Sequence, residues 1–162
     1  MTEMDIVQAT GKSYGIDEAL SIYTAKVDVK HSIILRARYN GSKAQWGQDP
    51  YHTIEHTKAV LMEYKKAILV IGNQGKMDKK TFYKGILDIE KNLRLNDYPK
   101  AFTVLCESGE SVEYNTGKST KVRPTLESMG IDILSTIRKV DRNIDQKVKG
   151  INYPAFGLIL LE

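Results

Sequence analysis

The sequence predicts a single α+β domain spanning residues 1–162, with about three helices packed on a small, mostly antiparallel sheet. Three observations predict it. Some segments repeat apolar residues at helical spacing while others alternate apolar with polar. No Pro/Gly/Ser-rich linker or internal repeat divides the chain. With 162 residues, 41% hydrophobic and 27% charged, the chain is long enough to bury roughly two thirds of its unfolded surface.

Taken in order, residues 16–39 (IDEALSIYTAKVDVKHSIILRARY) alternate Ala25, Val27 and Val29 with charged neighbours, and alternate again from Ile33 to Tyr39. That pattern favours strands over one long helix seamed by Ile22, Val29 and Ile33. A helix is predicted over residues 50–71, with Asp49 as N-cap, Pro50 at the first helical position and Gly72 as the stop. Its Ile54/Leu61/Ile68 stripe should face the core. A second helix should follow Asp78, since Phe82, Ile86, Ile89 and Leu93 recur at helical spacing. The turn GNQGK would fold these two helices into a hairpin.

Residues 101–114 read as a β-hairpin turning at Gly109. A third helix should begin near Pro124 and run to Gly150 on a seam of Leu134, Ile137, Val140, Ile144 and Val148. The last segment, NYPAFGLILLE, is apolar enough for a buried strand.

A lone cysteine, Cys106, cannot form an internal disulfide, and MTEMDIVQAT lacks the basic and apolar parts of a signal peptide, so a reducing cytoplasmic setting is expected. The longest apolar run, AILVIG, is too short to cross a bilayer, so no membrane partner is expected. The net charge of +4 comes from cations interleaved with acids, which describes a mixed solvated surface better than a phosphate-tracking stripe. The densest basic loop is GKSTKVR, with Lys118, Lys121 and Arg123; Arg36 and Arg38 are the other candidates for contact with nucleic acid. Gly-Lys-Ser occurs twice, but Ile6 and Val112 stand where a phosphate-binding loop needs glycine.

The stretch DPYHTIEHTKAV carries the sharpest chemical signal. His52 and His56 stand four residues apart, with Glu55 beside the second. On a helix this spacing aims two imidazoles at one ion. The string resembles the His-x-x-Glu-His motif of zinc peptidases, in which both histidines bind metal, the glutamate is the general base and a distant acid is the third ligand. That resemblance implies His52 and His56 as ligands, Glu55 as base and Glu127 as a candidate for the acid. Glu63 shares the helix face but lies about 10 Å from His56 by helical rise, too far for the same ion.

S-ribosylhomocysteine lyases share the string, but the resemblance implies a metal-binding cysteine and a separate catalytic one, where this chain has Cys106 alone. Tyr51-His52 with His56 also resembles the opening of HD-type phosphohydrolases, yet the His-Asp doublet that holds their metal does not occur.

No constellation in the sequence is complete, so a non-enzymatic cytoplasmic binding or assembly protein is the first expectation, held by a protein partner or by self-association. The small Lys/Ile/Tyr-rich chain suits a phage or viral structural subunit. One alternative is a metal-dependent hydrolase using His52, Glu55 and His56. The other is a nucleic-acid-binding accessory protein using residues 118–123 with Arg36 and Arg38. No bound metal or other cofactor is expected, because a helix supplies two histidines and nothing nearby in sequence supplies a third ligand.

Overall fold

The run AILVIG is the middle of the molecule, and it is a strand. The computed structural model describes residues 2–16, 18–39, 54–73, 75–105, 112–115, 120–123, 125–151 and 154–162. Among them are α1 (Glu3–Gly11), β1 (Glu18–Tyr23), α2 (His31–Tyr39), α3 (Ile54–Met62), β2 (Lys66–Asn73) and α4 (Lys79–Leu95). There follow β3 (Phe102–Leu105), β4 (Val112–Asn115), β5 (Thr120–Arg123), α5 (Ile133–Val140), α6 (Arg142–Lys149) and β6 (Pro154–Leu160). The α+β class stands, with six described helices in place of about three.

One antiparallel sheet has the order β1-β2-β6-β3, and β4-β5 form a separate two-stranded ribbon. In β2, Ala67, Leu69 and Ile71 face one apolar cluster while Ile68 and Val70 face another. Alternation is hidden because both faces are covered, so the strand reads as an unbroken apolar run. α1 and α4 cover one face; α3, α5, α6 and the segment from Leu126 to Ile131 cover the other.

This arrangement corrects the helix predicted over residues 50–71. Ile54 and Leu61 are buried on a helix as expected, but that helix ends at Met62, and Ile68 is buried as part of β2. A short apolar run has no period that separates a buried strand from a buried helix. GNQGK therefore joins a strand to α4, not helix to helix. α4 itself is as expected: Asp78 caps it by accepting from the Thr81 N–H at 2.7 Å, and Phe82, Ile86, Ile89 and Leu93 are fully buried.

The hairpin over residues 101–114 is also corrected, since β3 pairs with β6 and β4 pairs with β5. The third predicted helix is two. Asp141 takes an extended backbone, φ −150° and ψ 109°, and caps α6 by accepting from the N–H groups of Asn143 and Ile144. Its side chain thus competes with the helical path that the apolar spacing predicts. Leu134, expected in the seam, is 49% exposed, and its neighbour Ile133 is buried instead. The strands favoured within residues 16–39 are corrected: β1 lies ahead of the alternation, Ala25 falls in a 3-10 turn over Thr24–Lys26, and Ile33 to Tyr39 belong to α2, where Ile33 and Ile34 are buried side by side as a helix face allows and an alternating strand does not.

No helix among the described residues is long and apolar enough to cross a membrane.

Candidate functional site

Between β5 and α5 the chain makes a tight turn over residues 125–131 that the sequence specifies through a Thr-x-x-Ser spacing. The Thr125 hydroxyl accepts from the Ser128 N–H at 3.1 Å, and the Ser128 hydroxyl donates to the Thr125 carbonyl at 2.9 Å. Both residues are buried. Reciprocal bonds of this kind satisfy backbone groups that a buried turn would otherwise leave bare. The turn closes at Gly130, whose φ of +79° an L side chain rarely adopts and whose N–H donates to the Glu127 carbonyl at 2.9 Å. A Cβ there would also strike Ile34 of α2 and Ile54 of α3 at 2.9 and 3.1 Å.

Two helices are moored to this turn. The Thr57 hydroxyl of α3 donates to the Met129 carbonyl at 2.8 Å in a buried setting, and the Lys30 N–H, just before α2, donates to the Gly130 carbonyl at 2.8 Å. The first turn of α3, which carries Glu55 and His56, is therefore held against the segment that carries Glu127. Glu55 is exposed and His56 half-buried. On α3, Ile54, Thr57 and Leu61 are buried and Ala59 is exposed, as is Glu63 just past the helix end.

Glu127 is the unusual member. Its Oε2 is buried and accepts no hydrogen bond among the described residues. A carboxylate oxygen withdrawn from water without a donor costs about 1–3 kcal/mol or more, and a proton, a water or a cation would relieve that cost.

The remaining sequence candidates are spread out. His52, Cys106 and Lys118 lie outside the described residues, as do the side chains of Arg38, Lys121 and Arg123. Arg36 is exposed on α2, and His31 begins the same helix. The described residues thus bring together no set of cations for a phosphate backbone. Gly11-Lys12-Ser13 falls where α1 ends and a 3-10 turn begins, so it does not form the loop-to-helix start that cradles phosphate.

Two features were missed in the sequence. One is the turn itself, for which Thr125 and Ser128 at three-residue spacing were the available signal. The other is Glu90, which lies on the buried face of α4 with Ile86 and Leu93 and forms an ion pair with Arg94 at 2.9 Å.

A family model described as a predicted metal-binding protein (DUF2284) matches residues 21–161. The chain belongs to this family. Neither a curated protein nor a solved structure matches it. The match runs from within β1 through β6 and so includes α3 and the 125–131 turn.

Whether the residues present suit a metal is answered in part by Glu127. Its bare, buried oxygen is an acceptor of the type that hard and borderline cations bind. Among the described residues no three of His, Cys, Asp and Glu form a group able to hold an ion. A complete site would therefore need a donor from outside the described residues or from solvent.

Proposed function

We propose that the protein is a cytoplasmic metal-binding protein that acts by binding and not by turnover, with His56 and Glu127 among its ligands. The observation that carries this reading is the buried, unpartnered Oε2 of Glu127 in the turn against which α3 is held. The family's description supports it. His52, assigned on sequence spacing alone, would be the further imidazole. Imidazole nitrogen with carboxylate oxygen suits zinc, cobalt or nickel better than copper(I), which prefers thiolates and thioethers. The bound ion would supply charge for Glu127 and tie α3 to the turn. The expectation of an unmetallated histidine pair gives way in this reading, while the expectation of a binding protein is kept.

The test measures metal content of the purified protein by mass spectrometry and thermal melts with and without added Zn²⁺, Co²⁺ or Ni²⁺. A ligand that binds only the folded state adds about 2.7 kcal/mol at a hundredfold excess over its Kd. For a chain of this length that is a rise of roughly 5–10 °C in Tm. Glu127→Gln and His56→Ala should each abolish most of the rise. No stoichiometric metal together with unchanged melts for all three ions would refute the proposal.

A further inference from the structure

An open groove of about 610 Å³ runs between the end of β1 and the last turn of α3. That volume lies within the range of roughly 300–1,000 Å³ typical of small-molecule sites. Tyr23, Val27, Val29, Leu61, Met62 and Tyr64 make its walls. Its floor belongs to the core, since Val27 and Leu61 are buried, but its edges are bare: Tyr23 is 63% and Met62 85% exposed. Single exposed apolar side chains are ordinary; here two of them border the same apolar groove. The groove is rigidly framed. The Thr24 N–H donates to the Lys65 carbonyl at 3.0 Å, and the Thr24 hydroxyl donates to the Tyr64 carbonyl.

The charge at the groove is of one sign. Lys58 and Lys65 both line it and both are exposed, and no acidic side chain lines it among the described residues. Neither lysine has an ion-pair partner among those residues, whereas Lys30, Lys139, Lys147 and Lys149 each have one. An apolar trough with two unspent cations selects against a neutral hydrocarbon, which leaves the cations idle, and against a polyanion, which leaves the trough idle.

We infer that this groove binds a small amphiphilic anion, an aliphatic carboxylate whose chain lies along Val27, Leu61 and Met62 while its head meets Lys58 and Lys65. No bond is made or broken. The inference is independent of the metal proposal, because none of the groove residues is assigned to the metal.

Octanoate and 1-octanol are the probes, titrated calorimetrically into the full chain at pH 7. One octanoate per chain is expected, with octanol at least about tenfold weaker, the discrimination that a charge-assisted contact at a partly exposed rim provides. The double variant Lys58→Gln/Lys65→Gln should bind the two probes equally, and Met62→Gln should weaken both. Equal affinities in the unaltered protein, or no saturable octanoate binding, overturn the inference. So does light scattering that shows a dimer dissolved by Met62→Gln, which would make a second copy of the chain the occupant.

Discussion

Two glycines under α4 give a sharp test of how the sheet and helix meet. Gly72 of β2 and Gly157 of β6 lie on the face covered by α4, and a Cβ added to either falls closer than 3.0 Å to a side chain of that helix. At Gly72 the neighbours are Cδ2 and Cε2 of Phe82, a fully buried ring with no slack dihedral to absorb the intrusion. At Gly157 the near atom is Cδ1 of Ile86, the far end of a flexible side chain; its other carbons stand at 3.5 and 3.6 Å. Overpacking costs about 1–3 kcal/mol, and Gly→Ala returns about 0.4–1 kcal/mol by restricting the unfolded chain.

Gly72→Ala should therefore cost about 2 kcal/mol net, and Gly157→Ala between roughly zero and 1 kcal/mol. In Tm the first is a fall of roughly 4–8 °C and the second at most about 4 °C. Urea melts followed by circular dichroism measure both, with unchanged m-values expected. Equal losses, or a larger loss at Gly157, would refute the assignment of Phe82 as the rigid neighbour.

Three further outcomes follow from burial and charge. Leu61→Ala should cost about 2–5 kcal/mol in metal-free protein and His56→Ala under about 1 kcal/mol, because Leu61 is in the core and His56 is half-buried; comparable losses in denaturant melts would mean that α3 is rotated. Asp28 accepts from Lys139 Nζ at 2.7 Å and from the Ser135 hydroxyl at 2.6 Å, and these bonds, the lysine's first, hold its carboxyl below the usual range. A depressed folded pKa gives stability that is present above the unfolded value of about 3.9 and is lost as pH falls through the folded one, so the deficit of Asp28→Asn at pH 7 should shrink in melts below about pH 4. The Tyr98 hydroxyl donates to Glu3 at 2.8 Å, which pushes its pKa up to about 12. That stability is fully present below the unfolded value of about 10 and is lost as pH rises through 12, so Tyr98→Phe and the unaltered protein should converge in alkaline melts.

What could be read from the sequence depended on whether a local signal met a competing one. α4 was legible because Asp78, Phe82, Ile86, Ile89 and Leu93 agree on cap and period. β6 was legible because its run is apolar, short and bounded by Pro154. β2 was not, because Ala67 to Ile71 is covered on both faces and so shows no period. α1 went unread although Thr2 and Asp5 form a reciprocal cap, with bonds of 2.8 and 3.2 Å, because nine residues with three buried give little pattern to find. The partners of β3 and β4 were unreadable for another reason: pairing is set by distant segments, and closeness in sequence favoured the wrong pair. At the candidate site, the histidine spacing was visible and Glu127 was a candidate, but the bare state of its oxygen is a property of packing that no spacing reports.

The position of β6 has a consequence for how the chain reaches its native state. Ala67 pairs with Leu160 and Leu105 with Gly157, so the strand that joins the two halves of the sheet is made after both of the strands it joins. Until the ribosome has released residue 160, β2 and β3 each present an open ladder edge flanked by apolar faces, a surface that recruits foreign strands. Between the synthesis of β3 and that of β6 the nascent chain is thus open to aggregation at both edges, and closing this long loop slows its folding.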